Sequence, residues 1–91
     1  MPVMMLALSR AEKVFNEYGY VTIVTSTDDS YHMEGSLHYI GLAVDLRIKH
    51  IQKELVEEIF NSVQTIIEKL DYRFQCILKS NHIHIEFDRR R

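Results

Sequence analysis

Two stretches of the chain alternate between apolar and other residues. Leu42, Val44, Leu46 and Ile48 are separated by Ala43, Asp45 and Arg47, and Ile83, Ile85 and Phe87 are separated by His84 and Glu86, with His82 before them. Side chains on an extended strand point to opposite faces in turn, so a period of two predicts a strand with one face buried. Arg73 to Lys79 repeats the pattern, with Phe74, Cys76 and Leu78 inward, and Lys79-Ser80-Asn81 has the polar character of a hairpin connection. Between these strands Leu55, Ile59, Val63, Ile66, Ile67 and Leu70 fall at helical spacing. The segment Ile51 to Leu70 therefore predicts a helix of about five turns whose single apolar stripe covers the sheet.

The N-terminal third is less regular. Ser9-Arg10-Ala11-Glu12 fits a capping box and predicts a helix of about ten residues from there, with Ala11, Val14 and Phe15 inward and Gly19 as its stop. Val3 to Leu8 ahead of it reads as a first strand or a helix lead-in. Val21 to Thr25 is rich in β-branched residues and predicts a strand, whereas Ser26 to Ser36 is polar and reads as a loop. The expectation is one α+β domain over 1–91, a small antiparallel or mixed sheet with helices packed on one face.

Composition agrees with a single globular unit: 91 residues, 46% hydrophobic, with three Gly and one Pro. A chain this short buries roughly 60–65% of its unfolded surface, so a bound metal would add noticeably to its stability. Eleven Lys and Arg against thirteen Asp and Glu give a net charge of −2, too balanced for a dedicated nucleic-acid or anionic-membrane surface, and Arg89 to Arg91 reads as a solvated tail. The apolar start lacks a basic flank and is too short for a signal peptide or a membrane span, which leads to the expectation of a protein cytoplasmic as synthesised, in a bacterial or phage-infected cell. The lone Cys76 excludes an intrachain disulfide, and its place between Phe74 and Leu78 predicts a buried thiol rather than a nucleophile. The oligomeric state is not legible.

The strands also carry chemistry. If the Asp45 and His82–His84 strands share one sheet, Asp45, His82 and His84 stand together on the face away from the helices. Taken alone, Asp45 beside Arg47 reads as a surface ion-pair partner. The His-x-His pair changes that, because imidazoles at i and i+2 are roughly 6.5–7 Å apart at Cα and can face one ion. Imidazole nitrogen with carboxylate oxygen suits zinc, and three protein ligands with a fourth position for water mark a catalytic centre. His38, seven residues before Asp45 and followed by Gly41, is the natural third member. His32 reads as an exposed loop imidazole, His50 has no identifiable partner, and Asp28-Asp29-Ser30 is too irregular for a calcium loop.

Ser36-Leu37-His38-Tyr39-Ile40-Gly41-Leu42-Ala43-Val44-Asp45 matches S-x-H-x-x-G-x-A-x-D at every fixed position, and His82-Ile83-His84 matches a later H-x-H. The pair resembles the zinc D-alanyl-D-alanine carboxypeptidase family, which includes dipeptidases, phage L-alanyl-D-glutamate endopeptidases and the Hedgehog signalling domain. The wording is most similar to the short phage or prophage members, and the resemblance spans about Ser36 to Phe87. It implies zinc held by His38, Asp45 and His84, with His82 steadying the water or the developing oxyanion and Ser36 donating a hydrogen bond to substrate. The implied reaction is hydrolysis of peptide bonds at D-amino acids in peptidoglycan stem peptides.

Two departures bear on activity. The family commonly has an acid three residues before its last zinc histidine as general base, and here Asn81 holds that position. An amide takes up no proton at neutral pH. The substrate-binding Arg that the family often carries ahead of the first motif is also missing from Val21 to Gly35. Glu86, Asp28, Asp29 and Glu34 are conceivable substitute bases. The alternative expectation is therefore a zinc-binding module on the same scaffold, a virion component or host-directed factor without hydrolysis.

Overall fold

A computed structural model of the chain describes residues 3–28 and 42–88. Within them the elements are α1 (Val3–Glu17), β1 (Val24–Asp28), β2 (Leu42–Arg47), α2 (Lys53–Glu68), β3 (Phe74–Leu78) and β4 (His82–Phe87). The four strands form one sheet in the order β1-β2-β4-β3, and every neighbouring pair is antiparallel. This is the small α+β architecture that the alternating patterns predict.

The helix predicted to begin at Ser9 begins six residues earlier, at Val3, and Ser9 is an exposed residue in its middle. Met4 and Ala7 are in helical phase with Ala11, Val14 and Phe15, and all five are buried. Met, Leu and Ala are strong helix formers, so continuing the helix backwards gains burial as well as propensity. A cap at Ser9 offers only about 1 kcal/mol against that. At the other end the helix closes in a Schellman motif: Tyr20 N–H donates to Phe15 O (2.9 Å) and Gly19 N–H to Asn16 O (2.9 Å), with Gly19 at φ +88°. Among the described residues, that left-handed backbone is the one place where the fold requires a glycine.

β1 also departs from expectation. Its ladder starts at Val24 rather than Val21 and runs on through Ser26, Thr27 and Asp28, which read as loop from composition. The pairing surface of β2 extends the ladder through them, Asp28 being a poor strand former: Thr27 is opposite Val44 and Asp28 opposite Ala43, after an irregularity between Val24 and Ser26. The rest of the expected loop, residues 29–36, lies outside the described residues.

The remaining elements match their patterns. Val44, Leu46, Ile83, Ile85, Phe87, Phe74 and Cys76 from the sheet form one hydrophobic cluster with Ile59, Val63 and Ile67 of α2 and the buried residues of α1. Phe74 and Phe87 meet edge to face, ring centroids 4.8 Å apart. The β3–β4 hairpin is closed by Lys79 N–H donating to His82 O at 2.9 Å. On the outer side of β3, Cys76 N–H donates to Glu68 Oε2 (3.0 Å) and Cys76 O accepts from Gln64 Nε2 (3.2 Å), both from α2. With both helices on the apolar side, the opposite face of the sheet carries, among the described residues, Asp45, Arg47, His82, His84 and Glu86, with Ala43, Gln75 and Ile77 beside them.

Candidate metal centre

β2 and β4 pair in a register that sets Asp45 opposite His84, Arg47 opposite His82 and Ala43 opposite Glu86. Directly opposed residues of an antiparallel pair have Cβ atoms about 4.5–5.5 Å apart. Since the apolar alternates of both strands are committed to the core, the polar alternates are delivered to one patch of the open face. Asp45 Oδ1 lies 2.8 Å from His84 Nδ1 and 3.6 Å from His82 Nε2. One ligand atom from each of the three residues can be chosen so that all lie within 4.8 Å of one another, the only such group of three among the described residues. All three side chains are about a quarter exposed, so the patch is sheltered yet open to a ligand.

The flanking residues fix the rings. Asn81 Oδ1 lies 2.6 Å from His82 Nδ1. An amide oxygen only accepts, so in neutral His82 the ring hydrogen sits on Nδ1 and Nε2 turns a lone pair towards Asp45. Two acceptors then face each other across 3.6 Å. At zinc–ligand distances of 2.0–2.1 Å a tetrahedral site has ligand atoms roughly 3.3–3.4 Å apart, so this gap matches a shared cation. On the other ring, Glu86 Oε1 lies 3.0 Å from His84 Nε2. When Nε2–H donates to Glu86, Nδ1 is free to ligate, the carboxylate–histidine support common at metal centres. The 2.8 Å Asp45–His84 contact would open by about half an ångström to admit the ion. The donor set and spacing fit a divalent metal.

His84 titrates above the ordinary imidazole range. Burial pulls its pKa down, but hydrogen bonds to Asp45 and Glu86, with their negative charges, outweigh that and raise it. A raised folded-state pKa contributes stability that is fully present below the unfolded value of about 6.5 and lost as pH rises through the folded value. Zinc runs the other way, since only neutral imidazole ligates. Melting curves between pH 6 and 8 should therefore slope in opposite directions: stability falling with pH for chelator-treated protein and rising with pH when zinc is present. His84→Gln should flatten both, and identical slopes with and without zinc would show that His84 does not respond to the metal.

Of the residues singled out from the sequence, Asp45, His82 and His84 come together and Asn81 adjoins them. His38 and Ser36, like His32, lie outside the described residues. Asp45 is not the partner of Arg47: its carboxylate faces the two imidazoles, and among the described residues Arg47 is in no ion pair. Cys76 is buried as expected, and burial, with Glu68 adding, pushes its thiol pKa up to about 12. His50 has a partner that sequence could not reveal: Nε2–H donates to Val21 O at 2.8 Å, and the ring meets Tyr20 edge-on at 5.9 Å. The Asn81–His82 contact was missed, because adjacency in sequence does not say which ring nitrogen an amide will reach. No family model, curated protein or solved structure matches the chain.

Proposed function

We propose that the protein is a zinc-dependent peptidase that hydrolyses peptide bonds at D-amino acids in peptidoglycan stem peptides. The observation that carries this reading is the Asp45–His82–His84 cluster on the open face, with acceptors spaced for one cation and an outer carboxylate, Glu86, behind His84. The ten-residue motif ending at Asp45 and its similarity to the D-alanyl-D-alanine carboxypeptidase family supply the substrate class.

Asp45 and His84 would hold the ion, with a third ligand, a second imidazole, from His38 or His82. Zinc held there would supply a Lewis acid for the scissile carbonyl and would acidify the attacking water. Glu86 keeps His84 in the ligating tautomer. If His38 takes the third position, His82 Nε2, oriented through Asn81, is left to accept a proton or a hydrogen bond from the reacting group. Arg47, opposite His82 in register, offers a guanidinium to a substrate carboxylate.

One observation favours a second reading, a zinc-binding module without turnover: the position of the usual general base is filled by an amide already engaged with His82. The two separate on incubation of zinc-loaded protein with defined muropeptides followed by mass spectrometry. A peptidase gives new termini, abolished by a chelator and restored by zinc. A binding module gives a retained complex and no cleaved product, and neither result in the presence of stoichiometric zinc would remove peptidoglycan from the proposal.

A further inference from the structure

On the helix side of the sheet, the segment after β2, the start of α2 and the β3–β4 turn border an open cavity of about 540 Å³. Its floor is apolar: Ile48 and Ile51 are almost fully buried, and Val56 and Leu78 are half-buried beside them. Its rim is cationic, formed by Lys49, Lys53 and Lys79, all exposed. Three of the five lysines in a chain of net charge −2 thus surround one hollow. None of the three is in an ion pair among the described residues. Glu57 is the one carboxylate in the lining, which leaves the rim with a surplus of two positive charges (three minus one).

We propose that this cavity binds a small organic anion with an apolar body, an acyl carboxylate, its chain on the Ile48–Ile51–Val56–Leu78 floor and its head among Lys49, Lys53 and Lys79. The volume falls within the roughly 300–1,000 Å³ of small-molecule sites, and an apolar floor with a few convergent charges is their usual chemistry. An ammonium suits a carboxylate as a mobile point charge, and the long lysine stems extend the apolar wall towards the head. A neutral apolar ligand would gain nothing from the surplus positive charge of the rim, and a cation would be repelled. The site is separate from the metal centre: Ile48 and Leu78 belong to the buried face of the sheet, whereas Asp45, His82 and His84 occupy the other.

Octanoate titrated into the ¹⁵N-labelled 91-residue chain tests this. Saturable shift changes should concentrate at residues 48–57 and 78–80. Octanol, which has the same chain without the charge, should bind about tenfold more weakly, and inorganic phosphate, which has charge without the chain, more weakly still. Lys53→Gln combined with Lys79→Gln should weaken octanoate roughly tenfold and make the residual binding less salt-sensitive. Glu57→Gln should tighten it, an opposite sign that general destabilisation cannot produce. All three substitutions are at exposed positions, so folding is preserved. Octanol or phosphate binding as tightly as octanoate would overturn the proposal, as would shifts scattered over the surface or no response to the lysine changes.

Discussion

Replacing His84 by alanine is expected to lower zinc affinity at least about 100-fold and to leave the fold in place. Loss of a mere supporting group behind a ligand typically costs 10–100-fold, and His84, a ligand in the proposed centre, has two carboxylate partners, Asp45 and Glu86. Its side chain projects from the open face, so truncation makes no cavity in the core, and circular dichroism should be unchanged. The same titration assigns the third ligand. If His38 ligates, His38→Ala should match His84→Ala and His82→Ala should cost little; if the cluster itself is the complete set, the pattern reverses. Glu86→Gln should fall between, about 10–100-fold weaker, because the ring would lose the group that fixes its tautomer. Isothermal titration with zinc and metal content after dialysis read all four. Retention of zinc at unchanged affinity by His84→Ala would end the metal-centre reading.

The second large effect is expected at Asn81. General-base catalysis is typically worth about 10²–10⁴-fold, and an amide cannot supply it. Asn81→Asp should raise the rate of muropeptide hydrolysis by an amount in that range while zinc content stays the same. The new carboxylate would face His82 Nδ1, where Asn81 Oδ1 now sits at 2.6 Å, so it would take over the orienting bond as well as offer a proton acceptor. Its negative charge is tolerable beside a dication, which favours the ionised form. A vigorous wild type that Asn81→Asp leaves unchanged and Glu86→Gln silences, with zinc still bound, would place proton transfer at Glu86 instead.

The part of this centre that was legible in the sequence rests on a geometric accident of strands. Period two assigns Asp45, His84 and Glu86 to a face without any knowledge of which strands pair, so a common patch follows once β2 and β4 are neighbours. Register was not legible. Nothing in Leu42–Arg47 says that Asp45 faces His84 rather than His82, a difference of two residues along β4 that preserves every inward side chain. The two misjudged boundaries have one cause: local signals were outweighed by tertiary ones. At Ser9 a cap motif yielded to Met4 and Ala7 joining the buried stripe, and at Ser26 to Asp28 loop-type residues were drawn into the ladder by a partner strand. His50 illustrates the long-range limit, since its partner carbonyl belongs to a residue 29 positions away.

The two side chains that α2 extends over Cys76 restrict how this molecule can associate with itself. An edge strand presents free N–H and C=O groups on which a second chain can lengthen the sheet, the first step of strand-swapped dimers and of fibrils. On β3 that outward donor and acceptor are already engaged by Glu68 and Gln64. An incoming strand would have to expel both before it gained its own bonds at that position. Polymerisation through this edge is thereby disfavoured in the native state and becomes more accessible once α2 lifts away, so the docking of one helix guards the middle of the β3 edge.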